Sequence, residues 1–331
     1  MTRADLAQTF LSSTPWATAR REPLAGDASN RRYERLYMGS MTAVLMDAPP
    51  DKGEDVRPFV SIAEHLTGLG LSAPKIVASD TQNGFLLLED LGDDLFARVL
   101  SRHPDMEDTL YTAATDVLLA LHRTAPPPLK RYDPDLMTDL AALAFTRYKS
   151  GITGVEDPAE TQGFRDAFKP LLSDLTQGAE VLIQRDYHAE NLLWLPDRAG
   201  IARVGLLDFQ DAMLGHPAYD LVSVLQDARR DVSDDIERRM LDHYLSHTDC
   251  PAPAFRAAYA ALGVQRNLRI LGVFARLSLD MGKSHYVDSI PRVWALLQRD
   301  LDHPALAPIA DAVREGLPDP TPENLSRLVH T

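Results

Sequence analysis

The hydrophobic period of this chain changes once, at the stretch Glu89-Asp90-Leu91-Gly92, and that change calls for a fold with a sheet-rich beginning and a helical remainder. Before it, the apolar runs at residues 20–24, 32–38, 41–46, 75–78 and 85–88 are short and bounded by turn-forming residues, as strands are. A short leading helix is expected at residues 6–11, and helical spacing interrupts the strands at residues 56–69. From Leu95 onward the period becomes helical: Leu110, Ala114, Val117, Leu118 and Leu121 share one face, and Pro126-Pro127-Pro128 ends that segment. Further helices are expected at residues 135–148, 159–175, 220–228, 234–246, 254–281 and 292–301. The tail around Pro318-Asp319-Pro320-Thr321-Pro322 is expected to be loosely ordered.

A chain of 331 residues exceeds one simple core and suits two lobes or two domains. Its 45% hydrophobic and 25% charged residues are ordinary for a soluble globular protein. The single cysteine, Cys250, forms no internal disulfide, and the polar start Met1-Thr2-Arg3-Ala4-Asp5 is no secretory leader, so a cytoplasmic location is expected. No apolar run approaches the roughly 18 residues that span a bilayer, which excludes an integral membrane protein. The net charge of −14 disfavours nucleic acid, whose binding depends on Lys and Arg displacing counterions. It does not exclude ATP, because Mg²⁺ and a few cations neutralise that ligand locally. Nothing in the pattern fixes an oligomeric state.

The densest chemistry lies in Gln184-Arg185-Asp186-Tyr187-His188-Ala189-Glu190-Asn191 and in Gly205-Leu206-Leu207-Asp208-Phe209-Gln210. Asp186 closes the apolar run 181–183, Asn191 follows five residues later, and Asp208 closes a second apolar run. Phosphoryl transfer proceeds through a loose transition state stabilised by position and charge, so it needs hard oxygen ligands for Mg²⁺ and one acceptor for the substrate hydroxyl. Asp186 suits the acceptor role, and Asn191 and Asp208 suit the metal. The competing reading is structural, since acids and amides at strand ends also cap turns. Gly26-Asp27-Ala28-Ser29-Asn30 lies between two extended runs, where backbone N–H groups of small residues such as Ala28, Ser29 and Asn30 can approach phosphate oxygens. An ordinary hairpin turn is the alternative there.

The order of these residues resembles the aminoglycoside phosphotransferase and choline kinase-like family, relatives of the protein kinases. Leu118-Leu119-Ala120-Leu121-His122 and Gly215-His216-Pro217-Ala218-Tyr219-Asp220-Leu221 look like two further landmarks of that family. The resemblance implies a two-lobed, protein-kinase-like α+β fold. Residues 1–90 would form a small antiparallel-sheet lobe that binds the nucleotide, and residues 91–331 a larger helical lobe with the catalytic loop and substrate pocket. It also implies ATP and Mg²⁺, and a hinge at Glu89, Asp90 and Leu91 whose backbone reads the adenine edge. One departure stands out. The family's strand lysine, which contacts phosphates and pairs with a glutamate on the next helix, is missing from Thr42-Ala43-Val44-Leu45-Met46-Asp47. Met46 stands in its place, so either Arg31, Arg32 or Lys52 supplies the charge, with Glu64 a candidate partner, or ATP is held differently. A sensing pseudokinase is the reading from another class.

On the acceptor side, His188, Asp211, Tyr219 and Arg266 are candidate substrate residues, and Asp220 either joins them or starts a helix. Arg266, Arg269 and Arg276 fall within one arc of a helix, flanking Ile270, Val273 and Leu277, which suits either a clamp for a carboxylate-bearing sugar or pairing with nearby acids. The wording of residues 26–33, 44–50 and 207–212 resembles bacterial cell-wall amino-sugar kinases. That resemblance implies phosphorylation of the anomeric hydroxyl of N-acetylmuramate and N-acetylglucosamine. It also implies that the missing lysine is a trait of the subgroup. Aminoglycosides and choline-type amino alcohols remain the alternative small-molecule acceptors. His188-Ala189-Glu190 lacks the cysteines of a zinc deaminase, and Gly282-Lys283-Ser284 lacks the upstream glycine of a phosphate-binding loop because position 277 is Leu.

Overall fold

The computed structural model describes residues 2–24, 30–178 and 180–329. It divides into two compact units: residues 1–121 with 189–212, and residues 122–188 with 213–331.

The first unit begins with helix α1 (Arg3–Ser12), capped by Thr2, and contains a five-stranded antiparallel sheet. Its strands are β1 (Arg20–Leu24), β2 (Arg32–Met38), β3 (Met41–Asp47), β4 (Ile76–Asp80) and β5 (Phe85–Glu89), in the order β1-β2-β3-β5-β4. Alternation along the strands sends Leu36, Ala43, Leu45, Phe85 and Leu87 to one face, where they pack with Ala7, Phe10 and Leu11 of α1 and with Trp16. Each leucine or phenylalanine of this set contributes about 1.5–3 kcal/mol when fully buried. Met46 belongs to the opposite set, opposite Tyr33 on β2 and Leu86 on β5. Helix α2 (Arg57–Gly68) follows β3 and buries Phe59, Ile62, Ala63 and Leu66.

The sheet ends at Glu89, close to the boundary expected at residue 90, but compactness carries the first unit further. Helices α3 (Phe96–Arg102) and α4 (Glu107–His122) follow, and the hairpin β7 (Leu192–Trp194) with β8 (Val204–Leu206) returns to join them. Backbone bonds account for the grouping: Trp194 N–H donates to Asp94 C=O (2.8 Å), Leu206 N–H to Ser72 C=O (2.9 Å) and Ala97 N–H to Ala189 C=O (3.0 Å).

In the second unit, β6 (Val181–Ile183) pairs antiparallel with β9 (Met213–Gly215). Its centre is α10 (Ala252–Met281), 30 residues long, against which α5 (Pro134–Ala141), α7 (Pro158–Leu175), α8 (Ala218–Leu225) and α11 (Ile290–Leu301) pack. Helices α6 (Ser150–Thr153), α9 (Asp234–Ser246), α12 (Ala307–Gly316) and α13 (Pro322–Ser326) complete it.

Two expectations are corrected. The helix expected over residues 135–148 breaks after Ala141 and continues as a π-helical turn, Ala144–Lys149. The break sits where the backbone of Leu143 meets Gly272 of α10, so closely that a Cβ on Gly272 would lie 2.4 Å from the Leu143 carbonyl carbon. The tail is tied down rather than loose. Tyr148 OH donates to Pro318 C=O (2.8 Å), Ser278 Oγ donates to Leu328 C=O (2.6 Å), and Leu328 is fully buried over Gly151.

Gly272→Ala is expected to destabilise the protein by about 1–3 kcal/mol, the usual cost of forcing extra volume into a packed contact. A thermal melt of the variant beside the wild type checks this, and an unchanged midpoint would mean that α10 and Leu143 part without cost.

Candidate active site

Strand β6 is buried along its length and delivers the chain into a turn at Gln184-Arg185-Asp186. Arg185 takes a left-handed conformation (φ 73°) that side chains rarely adopt. What holds it is Asp220 on α8: its two carboxylate oxygens accept the backbone N–H groups of Gln184 (2.6 Å) and Arg185 (2.9 Å). Every residue of α8 is buried and Asp220 is 0% exposed, so the anchor is rigid. Burial pushes the Asp220 carboxyl up to about 7, while the two N–H groups oppose the rise by favouring its charged form. Asp220 is thus an anchor for the turn that bears Asp186.

Burial also works against the charge of Asp186, but the guanidinium groups of Arg269, Arg266 and Arg185 outweigh it and hold the carboxyl below its ordinary range. The arginines are tied to the turn by a short network. Arg266 Nη2 donates to Ser223 Oγ (2.9 Å), and Ser223 Oγ donates to the Arg185 carbonyl (3.3 Å). Arg269 Nη1 donates to Tyr219 OH (3.2 Å), Tyr219 packs edge-on against Tyr132, and the Arg185 guanidinium lies 5.5 Å over the Tyr132 ring. His188 is 5% exposed, and burial lowers its pKa to about 4. It is therefore neutral, and its Nε2 lies 3.2 Å from Arg229 Nη1, accepting from that donor.

In the first unit, Leu207 N–H donates to the Asn191 carbonyl (3.0 Å), which ties the segment of Asn191 to that of Asp208. Asp208 is left-handed as well (φ 57°), and Arg185 and Asp208 are the two non-glycine residues with positive φ among the described residues. Strain of this kind gathers at functional sites. Gln210 Nε2 donates to Asp208 Oδ1 (2.7 Å), and Phe209 packs against Phe59 of α2 at 4.8 Å. An amide oxygen and a carboxylate are hard donors, and a pair of them fits Mg²⁺, which keeps several waters and takes one or two protein ligands.

Met46 is 1% exposed and carries no charge toward this region. Of the three cations expected to substitute for a strand lysine, Arg32 and Lys52 are exposed, whereas Arg31 is half-buried and its Nε donates to Glu54 Oε2 (2.9 Å). The charges of Arg31 and Asp208 both act on the phenol of Tyr33, which burial pushes up and which sits opposite Met46. The glutamate that pairs with the cation is thus Glu54, and Glu64 lies exposed on α2.

The other expected residues fall as follows. Asn30 is exposed, its N–H donating to Glu54 Oε1 (3.1 Å), and Ala28 and Ser29 lie outside the described residues. The side chain of Glu89 accepts from Arg198 Nη2 (2.7 Å), Asp90 accepts from Arg35 Nη2 (3.1 Å), and Leu91 lies against Gly205. Asp211 is exposed, and Tyr219 is 0% exposed, meeting the Asp186 turn through Arg269. The arginine arc divides: Arg266 is buried, Arg269 half-buried and Arg276 exposed, because the core face of α10 runs through Leu268, Leu271 and Ala275 rather than through Ile270, Val273 and Leu277. Sequence reasoning missed Ser223, Tyr132, Glu54 and Arg229. An acid inside the apolar run of α8 was the one available signal for Asp220.

Over 95% of its length the chain shares its fold with a choline/ethanolamine kinase family protein from Mesorhizobium loti, of which it covers 100% (TM-score 0.64, 16% identity), and the expected protein-kinase-like α+β class is borne out. Residues 20–259 match the phosphotransferase enzyme family, and the chain belongs to it. It is 42% identical to the N-acetylmuramate/N-acetylglucosamine kinase of Caulobacter vibrioides, with 90% of this chain and 92% of that one covered. A protein of the same name in Pseudomonas aeruginosa is 34% identical, with 83% and 82% covered. Among the described residues no helix is long and apolar enough to cross a membrane.

Folding strips the proton from three imidazoles, since burial lowers His188 and His216 to about 4 and His122 to about 3. Unfolded imidazoles hold a proton up to about 6.5, so between about 4 and 6.5 the unfolded chain binds more protons and stability rises with pH. Melting midpoints recorded across that window should climb, and His188→Gln should flatten the slope. An identical slope in the variant would remove His188 from this account.

Proposed function

We propose that this phosphotransferase is an ATP-dependent sugar kinase of the cytoplasm, acting on the anomeric hydroxyl of N-acetylmuramate and N-acetylglucosamine. The observation that carries the reading is a carboxylate, Asp186, kept ionised by three guanidinium groups on a strained turn, in a chain 42% identical over 90% of its length to a kinase of that name. An ionised carboxylate is the form that accepts a proton from a hydroxyl.

Asp186 accepts the hydroxyl proton of the sugar and orients the oxygen as it attacks. Asn191 and Asp208 would hold Mg²⁺, which when bound neutralises phosphate charge. Asp186 and Asn191 are joined by five peptide bonds, so one loop supplies both functions. Asp220 sets the backbone of that loop. Gln210 orients the Asp208 carboxylate, as its 2.7 Å bond allows. Arg31, held by Glu54, takes over the phosphate contact that a strand lysine makes elsewhere. Ala28, Ser29, Asn30 and Arg32 belong to the phosphate side of the nucleotide, while the backbone around Glu89, Asp90 and Leu91 meets the base, their acidic side chains being engaged by Arg198 and Arg35. His188, Asp211, Tyr219 and Arg266 belong to the acceptor side, His188 and Tyr219 through the arginines they touch.

Asp186→Ala should lower turnover about 10²-fold or more, at the lower range of general-base contributions, with ATP binding nearly intact. Coupled assay of ATP consumption over N-acetylmuramate, N-acetylglucosamine, an aminoglycoside and choline reads both the rate and the acceptor; silence on both sugars would sink the amino-sugar assignment. Arg31→Met should raise the KM for ATP by roughly tenfold or more, the loss of one hydrogen bond to a charged group, and leave the KM for the sugar in place. A change confined to the sugar KM would place Arg31 elsewhere.

A further inference from the structure

Arg266 lies in the middle of α10 and is 4% exposed. One of its five N–H donors reaches Ser223 Oγ, while its Nε and Nη1 meet no acceptor among the described residues. Unmet donors on a buried cation are costly, and mutation gives a chain many ways to remove them. One turn along, Arg269 is half-buried against Tyr219, and Arg185 lies over Tyr132. Three permanent cations therefore surround the turn of Asp186.

Asp220 spends both oxygens on backbone N–H groups, while the charges of Asp186 and of buried Asp227 act on Arg266, and that of Asp186 on Arg269 as well. A chain with a net charge of −14 has concentrated positive charge, as arginine and out of water, at one place. Arginine there stays charged in any surroundings and presents several donors to a planar anion, so the arrangement is complete with an anionic guest.

We infer that Arg266, supported by Arg269, is the receptor for a carboxylate on the acceptor sugar and sets a preference for N-acetylmuramate, which carries a lactyl carboxylate, over N-acetylglucosamine, which carries none. The assignment rests on the amino-sugar reading above and deepens it. It makes Arg266 a binding residue for the acceptor, apart from the cation, Arg31, that serves the nucleotide.

The test compares kcat/KM for N-acetylmuramate, its methyl ester and N-acetylglucosamine in the wild type, Arg266→Gln and Arg266→Lys. The ester keeps the size of the side arm and removes its charge. The wild type should prefer the acid to the ester; in Arg266→Gln the acid-to-ester ratio should fall about tenfold or more, the loss of one charge-assisted bond. Arg266→Lys should restore part of it, and the KM for ATP should stay in place. Equal losses on all three sugars, or a raised KM for ATP, would overturn the inference by making Arg266 a structural prop or a phosphate ligand. Should Arg266→Gln fail to fold, the wild type still decides: an acid-to-ester ratio near one overturns the proposal while leaving a sugar kinase. Turnover of choline or an aminoglycoside with no sugar turned over would overturn the amino-sugar reading itself.

Discussion

Two hydrogen bonds from backbone to one buried carboxylate set the geometry on which the candidate chemistry depends. The turn after β6 must reverse sharply while presenting Asp186, and it does so with Arg185 in a left-handed conformation that costs of order 1–3 kcal/mol. Bonds to a charged group contribute about 1.5–3 kcal/mol each, so the pair from Gln184 and Arg185 to Asp220 is sufficient to hold the strain. The acid can do this because α8 is buried on every side and cannot yield. Local strain is thereby offset by tertiary packing, and Ser223, one turn further along α8, extends the same logic by linking Arg266 to the Arg185 carbonyl.

The first unit shows a parallel economy of means. Asp208, strained like Arg185, is oriented by Gln210 and lies in the segment that Leu207 fastens to Asn191. The strand position where the resemblance leads one to expect a lysine is filled by Met46, 1% exposed between Tyr33 and Leu86. An ammonium there would be stripped of water, and its cost would have to be met by a partner that Glu64, exposed on α2, does not provide. The Arg31–Glu54 pair puts the cation one strand away, next to Tyr33, where the carboxylate is already in place.

Much of this was legible in the sequence, and the limits follow from what periodicity can encode. Strands β1 to β5 and helices α7, α9, α10 and α11 follow from residue spacing because each has one apolar face and clear turn residues at its ends. The break after Ala141 left no trace, since it comes from the approach of Leu143 to Gly272, more than a hundred residues away in the chain. The docked tail escaped for the same reason: prolines at 318, 320 and 322 suggest loose chain, and the pocket for Leu328 is made by Gly151 and Leu279. Asp186, Asn191 and Asp208 stood out because their order and spacing are local. Asp220, Ser223 and Glu54 act across elements, and only the fold reveals what each of them touches.

The arginines of α10 make the same point about charge. Helical spacing placed Arg266, Arg269 and Arg276 within one arc, yet the helix is buried so widely in its first half that the arc passes from core to solvent within three turns. Arg276 is an exposed surface charge, while Arg266, ten residues earlier, is a dehydrated cation beside the turn that bears Asp186. A lysine at position 266 would relieve its burial by giving up its proton, because burial readily lowers an ammonium pKa. Arginine has no such escape, so its presence commits the protein to a standing positive charge at this point. A carboxylate held ionised against the pull of burial is the immediate result for Asp186. The wider result is a helical unit that gathers buried positive charge beside one turn although the chain as a whole is strongly acidic.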